Sequence, residues 1–313
     1  MEYRTFGKTG LKVSKVGLGA WQFSDAWGVL DYDVAKRTIS AALEAGINFI
    51  DTAAVYGRGT SETHVGRALR ELRAREQVVI ATKVPGDLLR AGDVVKAARR
   101  SRERLGVDVI DIMQVHWPPC WYNVPTCEYM KALEGLVKEG IIRYIGVSNF
   151  PVKLLEEARQ CLSATDVVST QNRYNLIERE AEKELLPYAE RNGIQVIAWS
   201  PLAKGLLTGK YNPDNLPKFS DVRANDPLYA PDNARQVMRL VQALREIGDR
   251  HGRTPGQVAL NWLIRAGVIP IPGAKDPEQV ISNAASVGWS MSDEEAQRLA
   301  EVSNSLNISY VTW

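Results

Sequence analysis

Short runs rich in Val and Ile alternate with longer amphipathic stretches along almost the whole chain, and this alternation constrains the fold more than any other feature. A run that is apolar at nearly every position indicates a strand buried on both faces, as in parallel sheets covered by helices. Eight such runs occur, which is the strand number of a closed parallel barrel. The predicted strands are Lys15–Gly19, Ile47–Thr52, Val78–Lys83, Ile110–His116, Ile142–Ser148, Val167–Gln171, Ile194–Ser200 and Val268–Gly273.

The stretches between these runs indicate helices. Segments such as DVAKRTISAALEAG and GDVVKAARRSRERLG place apolar residues at steps of three and four and end near glycine. An open doubly wound sheet would normally carry GxGxxG after its first strand, and the segment beginning at Gly17 reads GLGAWQF instead. We therefore predict the α/β class with a (β/α)8 TIM barrel, built as one domain over residues 1–313.

Three segments fall outside the eightfold pattern. They are a possible hairpin at the N-terminus (YRTFG and LKVS), a long insertion after the seventh strand (Ala203–Pro231) and a C-terminal helix (Asp293–Ser303). The insertion follows a strand at the end of the barrel where active sites lie. Its glycines and prolines fit a lid or a cofactor-covering loop, and they fit a disordered insertion nearly as well.

The charge balance excludes some classes of partner. Lys and Arg number 39 against 37 Asp and Glu, so a net charge of +2 provides no field that would favour nucleic acid or a membrane surface. No stretch approaches the roughly 20 apolar residues that span a bilayer. We therefore expect a small-molecule ligand and, because no heptad pattern or other association element is evident, a monomer.

The cysteines and histidines suggest no disulfide framework and no metal site. Cys120, Cys127 and Cys161 are odd in number and lack CxxC spacing, and His64 and His251 lie outside metal-ligand spacings. A reducing compartment is the simplest interpretation of unpaired cysteines. With a polar N-terminus, this predicts a cytoplasmic protein that holds no metal.

Polar side chains end most of the predicted strands. Burying a polar side chain without a partner costs free energy, so these groups are expected to converge on one another or on a ligand at the barrel mouth. Helix capping explains any one of them about equally well, but it explains the whole set less easily. The residues are Asp51, Lys83, His116, Ser148, Asn149, Gln171 and Ser200.

Tyr56 lies five residues after Asp51, in a turn with Gly57 and Gly59. A nearby ammonium, for which Lys83 is the candidate, would lower the pKa of the phenol. Asp51 would balance the charge of Lys83, and a neutral His116 could donate a hydrogen bond to a substrate carbonyl. These residue types together suit carbonyl reduction. Schiff-base chemistry at Lys83, as in an aldolase or isomerase, is an alternative.

The sequence resembles the aldo-keto reductase family over essentially its whole length. The motifs that carry the resemblance are DTAAVYGRGTSE, IATKV, MQVHWP, GIIRYIGVSNF, STQNRYNL, AWSPLAKGLLTGKY and IPGAKDPEQV. Within the family it looks like the bacterial and potassium-channel β-subunit-like branch. The resemblance implies an oxidoreductase that reduces a carbonyl with a nicotinamide cofactor, or alternatively a cofactor-binding regulatory module that acts through a protein partner.

The resemblance also implies roles for individual residues. Asp51, Tyr56, Lys83 and His116 match the catalytic tetrad, and Trp21, Tyr56, His116 and Trp117 are expected to contact the substrate. Trp199 is expected to stack on the nicotinamide ring, at a position where many members carry Tyr. The expected cofactor-binding residues are Gly19, Trp21, Asp51, Ser148, Asn149, Gln171, Trp199, Ser200, Pro201, Leu202, Lys204, Gly205, Lys210, Arg223, Gly273, Lys275, Gln279 and Asn283.

The segment GAKDPEQVISN departs from the family's best-known vertebrate pattern, which places Lys-Ser and then Arg around the 2′-phosphate of NADPH. Lys275 keeps one positive charge for that phosphate, but a bidentate Arg is missing. We therefore expect NADPH as the cofactor, with NADH possible. Trp121 and Tyr122, which follow Trp117, are further candidates for the wall of the substrate pocket.

Overall fold

The computed structural model of the protein describes residues 1–28, 31–120 and 122–308. Its main sheet contains eight parallel strands that follow one another in chain order. These strands are mostly buried and rich in apolar residues, although polar residues such as Asp111 and Gln114 occur within them. The strands are β3 (Leu18–Gly19), β4 (Phe49–Asp51), β5 (Val79–Val84), β6 (Ile110–Val115), β7 (Ile142–Ser148), β8 (Val167–Arg173), β9 (Gln195–Trp199) and β10 (Ile269–Pro270).

Backbone contacts between the first and last strands close the sheet into a barrel. Gly17 and Gly19 donate backbone hydrogen bonds to the carbonyls of Pro270 and Pro272, at 2.9 and 3.1 Å. Gly19 also forms a parallel bridge with Gly273. The predicted (β/α)8 barrel is therefore confirmed, although β3 and β10 are shorter than predicted. Pro270 and Pro272 have no amide proton to extend the ladder.

Helices follow each barrel strand and form the outer layer. Several begin at side-chain caps: the side chains of Thr254 and Ser292, for example, form capping boxes with Gln257 and Glu295. The helices are α1 (Tyr32–Glu44), α2 (Thr60–Glu71), α3 (Ala91–Leu105), α4 (Thr126–Lys138), α5 (Val152–Gln160), α6 (Leu185–Arg191), α7 (Pro231–His251), α8 (Pro255–Arg265), α9 (Pro277–Ala284) and α10 (Asp293–Asn304).

The N-terminal hairpin closes one end of the barrel. Strands β1 (Tyr3–Thr5) and β2 (Lys12–Ser14) pair antiparallel. Phe6 and Val13 from the hairpin are fully buried and belong to the same apolar cluster as Phe49 in the barrel interior. With this end filled, the polar ends of the strands face the open mouth at the other end.

The insertion contains short 3₁₀ turns, at Ala203–Thr208, Pro213–Asn215 and Pro227–Tyr229. It is ordered by packing, since Leu206 and Leu207 are fully buried. It leads into α7, a 21-residue helix that is additional to the eight βα units. This helix packs against α8 and α10. The predicted C-terminal helix is confirmed as α10.

Two cysteines are joined, contrary to the prediction from their number and spacing. Cys127 at the start of α4 forms a disulfide with Cys161 at the end of α5, while Cys120 is free. The partners are 34 residues apart in sequence, so only the packing of two neighbouring barrel helices brings them together. Within the described residues, no helix is both long and apolar enough to cross a membrane.

Candidate active site

A cavity of about 810 Å³ opens at the mouth of the barrel and extends beneath the insertion to α9. Every residue to which the family resemblance assigns a cofactor or substrate contact lines this cavity. Lys83, the remaining predicted site residue, is fully buried and contacts two of the lining residues. The βα loops and the insertion thus bring together residues that are up to 264 positions apart, from Gly19 to Asn283.

Asp51 and Lys83 form a buried ion pair below the cavity. The Lys83 Nζ donates hydrogen bonds to Asp51 Oδ1 at 2.5 Å and to the Thr52 carbonyl at 2.9 Å. The other carboxylate oxygen of Asp51 accepts from Gln114 and Gln171, at 3.1 and 2.7 Å. Burial lowers the pKa of Lys83, but Asp51 and Tyr56 outweigh it and the net shift is upward. Lys83 is therefore a fixed ammonium.

The Tyr56 hydroxyl lies beside this ammonium, with Lys83 Nζ donating to it at 3.3 Å. The tyrosine begins a tight turn in which Gly57, Arg58 and Gly59 all have positive φ angles. At Gly59 (φ 97°) a Cβ atom would come within 2.5 Å of the Arg104 side chain, so this close turn requires glycine. The turn directs the phenol into the barrel mouth, where its ring stacks on Trp21 at a centroid distance of 6.0 Å.

The net pKa shift of Tyr56 is opposite to the one expected from the sequence. Burial raises the pKa of the phenol and Asp51 raises it further, while the Lys83 ammonium lowers it by less than the sum of these effects. The phenol is consequently protonated at neutral pH. A protonated hydroxyl beside a fixed ammonium can give up its proton and leave a phenolate that Lys83 stabilises.

His116 directly follows β6 and faces Tyr56, with the two rings edge to face at a centroid distance of 5.7 Å. Burial, followed by the charge of Lys83, holds the pKa of His116 well below its ordinary value of 6.5. The imidazole is therefore neutral near pH 7. It can donate one N–H to a carbonyl oxygen near the tyrosine hydroxyl.

Asn149 connects three parts of the site. Its φ of 62° is unusual for a residue other than glycine. Its side-chain amide donates to the His116 carbonyl at 3.0 Å and to Ser148 Oγ at 3.1 Å. Its Oδ1 accepts a hydrogen bond from the Trp199 indole nitrogen at 3.0 Å. Trp199 therefore lines the cavity in an orientation fixed by Asn149.

Positive side chains gather where the insertion crosses the cavity. The Lys275 Nζ donates to the Trp27 carbonyl at 2.7 Å, and Lys275 and Arg223 both lie 5.3 Å from the centroid of the Trp27 ring. Asp221 is held by Arg223 Nε at 2.8 Å. Burial lowers the pKa of Lys275, and the nearby Arg223 acts in the same direction. A crowded set of cations of this kind suits a phosphate-bearing ligand.

The chemistry of the lining also suits a dinucleotide. Aromatic, amide and cationic side chains all line the cavity, and these are the groups that nicotinamide, its carboxamide and phosphates require. The residues present therefore fit a nicotinamide dinucleotide.

Some site residues were not predicted from the sequence. The buried Gln114 on β6 donates a hydrogen bond to Asp51. It lies two positions before His116, and because side chains alternate between the two faces of a strand, its inward orientation could have been predicted. Gln22, Thr208, Thr254 and Ser282 line the cavity without any motif that marks them. Of the predicted pocket aromatics, Trp117 lines the cavity. Tyr122 is 67% exposed and does not, and Trp121 lies outside the described residues.

The state of Lys83 disfavours the Schiff-base alternative. A lysine nucleophile must be unprotonated and reach the substrate. Lys83 is instead fully buried, has a raised pKa and donates to Asp51, Thr52 and Tyr56.

Comparison with known proteins identifies the class that this fold and site define. Residues 15–304 match the sequence model of the aldo/keto reductase family, and the chain belongs to that family. It is 34% identical to the NADH-specific methylglyoxal reductase of Escherichia coli, over 96% of this chain and 98% of the relative. It is an NAD(P)H-dependent oxidoreductase with the (β/α)8 fold, and carbonyl reduction is its general chemistry.

Solved structures agree with this assignment. The glycerol dehydrogenase AKR11B4 of Gluconobacter oxydans superposes with a TM-score of 0.87 and 34% identity, covering 99% of this chain and 98% of that one. An aldo/keto reductase of Klebsiella pneumoniae in complex with NADP and acetate superposes with a TM-score of 0.75 and 28% identity, covering 99% of both chains.

Proposed function

We propose that the protein uses NADPH to reduce an aldehyde or ketone to the alcohol, with Tyr56 as the proton donor. The observation that carries the proposal is the contact between the Tyr56 hydroxyl and Lys83 Nζ at 3.3 Å, with Nζ held by Asp51 at 2.5 Å. This contact lies below a cavity that both Tyr56 and His116 line.

The proton comes from the chain itself. Tyr56 transfers its hydroxyl proton to the carbonyl oxygen of the substrate, and Lys83 stabilises the phenolate that remains. The neutral His116 donates a hydrogen bond to the same oxygen and orients the carbonyl toward Tyr56. Trp21 and Trp117 form apolar walls that limit the access of water. Solvent returns a proton to Tyr56 after the alcohol leaves.

The cofactor supplies the hydride when it is bound. Ser148, Asn149 and Gln171 would hold its carboxamide, and Trp199 would lie against its ring. The side chains of Asn149 and Gln171 already bond Trp199 and Asp51, so binding the carboxamide requires them to share or exchange these hydrogen bonds. The insertion would hold the phosphates through Lys204, Gly205 and Lys210.

The cationic end of the cavity supports NADPH but leaves room for NADH. Lys275 offers an ammonium for a 2′-phosphate, and Arg223 lies on the same tryptophan ring. Asp221, however, bonds Arg223 and acts on Lys275, so it offsets part of this positive charge. We therefore expect a preference for NADPH that is modest and depends on Lys275.

Titration of the purified protein with NADPH and NADH tests the cofactor. Lys275→Met should weaken NADPH binding about tenfold, because about 1.4 kcal/mol of charge–phosphate attraction is lost, and should change NADH binding by less than about threefold. Lys183→Met removes a lysine that is 71% exposed and outside the cavity lining, and it serves as the matched control. Equal loss of both cofactors in Lys275→Met would contradict the 2′-phosphate role.

Turnover is then measured by the oxidation of the preferred cofactor against a panel of aldehydes and ketones. Reduction of at least one carbonyl class with saturable kinetics is expected. If the protein binds a nicotinamide cofactor tightly but reduces no compound, the regulatory-module alternative would be favoured over the enzyme.

A further inference from the structure

Arg173 lies against Trp199 and outside the cavity. Arg173 ends β8 and pairs in register with Trp199, which ends β9. The guanidinium carbon is 4.5 Å from the centroid of the indole ring. Trp199 lines the cavity, whereas Arg173 does not. One face of the indole is therefore covered by a cation and the other is available to a ligand.

Both side chains are held in place. The indole nitrogen of Trp199 donates to Asn149 at 3.0 Å. Arg173 Nη1 donates to Glu178 Oε1 at 2.8 Å, and the Glu178 side chain is only 6% exposed. The other oxygen of Glu178 accepts from Asn175 at 2.8 Å. The Arg173 guanidinium is thus held in a defined position behind the indole ring of Trp199.

We propose that Arg173 is a positioning residue that makes the site favour the reduced cofactor over the oxidised one. The inference rests on the proposed function, because it requires the nicotinamide ring to lie on the free face of Trp199. The oxidised ring carries a positive charge and the reduced ring is neutral. A guanidinium beyond the indole therefore repels only the oxidised form, and the indole rather than water occupies the space directly between the two charges.

Glu178 limits this effect, because its carboxylate offsets part of the charge of Arg173. The pair therefore allows tests in opposite directions. Removing the charge of Arg173 should relieve the repulsion of the oxidised ring, and removing that of Glu178 should strengthen it. A role in packing alone would not produce this reversal, because loss of ring support weakens the binding of both cofactor forms together.

Isothermal titration calorimetry of NADP⁺ and NADPH at one ionic strength tests the proposal. The quantity compared between variants is the dissociation constant of NADP⁺ divided by that of NADPH, which measures the preference for NADPH. The variants are Arg173→Gln, Arg173→Lys, which keeps the charge, and Glu178→Gln. Calorimetry measures binding without turnover and does not depend on Trp199 fluorescence. Circular dichroism checks that each variant is folded.

In Arg173→Gln the preference for NADPH over NADP⁺ should fall about threefold or more, mainly through tighter binding of NADP⁺. Arg173→Lys should stay within about twofold of the wild-type ratio, and Glu178→Gln should raise the ratio. For a two-electron couple, a tenfold change in this ratio corresponds to about 30 mV in the potential of the bound cofactor.

Parallel changes in both affinities, with an unaltered ratio in Arg173→Gln and Glu178→Gln, would overturn the inference and leave the proposed function intact. Should Arg173→Gln fail to fold, Glu178→Gln alone decides, because an unchanged or lowered ratio there contradicts the proposal. If the wild-type protein binds neither form, the proposed function itself fails, and the inference fails with it.

Discussion

At the scale of single residues, the site depends on how burial and nearby charges keep some titratable groups charged and others neutral. Lys83 is buried yet charged, because Asp51 lies 2.5 Å from its Nζ. His116 is near the same ammonium, and no carboxylate among the described residues pairs with it in this way, so burial and Lys83 both favour its neutral form. Burial and one fixed cation therefore keep the neighbouring imidazole neutral, and the same cation can stabilise a phenolate at Tyr56.

His116 gives this arrangement a pH dependence. Because its pKa is lowered in the folded state, below about pH 6.5 the unfolded chain binds a proton that the folded chain does not. The free energy of unfolding should therefore fall as pH drops through 6.5, by up to about 1.4 kcal/mol from this residue between pH 7.5 and 5.5. Urea denaturation of wild type and His116→Gln from pH 7.5 to 5.5 measures this loss of unfolding free energy.

The variant should lose less stability than wild type over that range. His251→Gln, which removes a histidine paired with Glu295 on the surface, controls for the loss of a histidine as such. Parallel pH profiles of wild type and His116→Gln would show that His116 is not held neutral.

At the scale of elements, the insertion and the loop after β3 meet over the cavity. The Val222 amide donates to the Ala26 carbonyl at 3.4 Å, and Arg223 lies over the Trp27 ring. Within the insertion, Lys204 pairs with Asp226. We call these contacts between the insertion and the loop after β3 the bridge. We expect a dinucleotide bound beneath the bridge to leave more slowly while these contacts are formed, so the insertion should control the rate of cofactor release.

Trp27→Ala removes the ring on which Arg223 and Lys275 both lie, so it should weaken the bridge. We expect NADPH to dissociate about threefold faster or more, as measured by stopped-flow displacement with excess NADP⁺. Trp27→Phe keeps an aromatic face and should remain closer to wild type. An unchanged dissociation rate in Trp27→Ala would mean that the bridge does not limit release.

The disulfide between α4 and α5 should stabilise the barrel wall. A disulfide between residues 34 positions apart restricts the unfolded chain, and this restriction corresponds to a stabilisation of the folded state by about 2–4 kcal/mol. Cys127→Ser should lower the free energy of unfolding by up to that amount under non-reducing conditions. Cys120→Ser, at the free cysteine, should have little effect. Dithiothreitol should destabilise wild type but not Cys127→Ser, and equal sensitivity of the two proteins would count against a stabilising bond.

At the scale of the whole molecule, local pattern was enough to predict the barrel. All eight strands overlap the apolar runs, because strands buried on both faces are rich in apolar residues. The ends of β3 and β10 were less predictable, since they depend on prolines that close the ring. The family motifs and strand ends together predicted most of the residues that line the cavity.

What the sequence did not predict is set by contacts between distant segments. The net pKa shift of Tyr56 depends on how completely the folded barrel buries it, which no local motif reveals. The disulfide and the placement of Arg173 behind Trp199 likewise arise from the packing of neighbouring elements. A side chain that acts through another residue, such as Arg173, is harder to predict from the sequence than a polar residue at the end of a strand at the barrel mouth.

The most direct test of Tyr56 as the proton donor is to measure kcat for carbonyl reduction and the NADPH dissociation constant on the same preparations of wild type and Tyr56→Phe. The variant loses only the hydroxyl that Lys83 contacts. We expect kcat to fall about 10²- to 10⁴-fold, as for loss of a general acid, with the dissociation constant within about threefold of wild type. A kcat close to the wild-type value would contradict the assignment of Tyr56 as the proton donor.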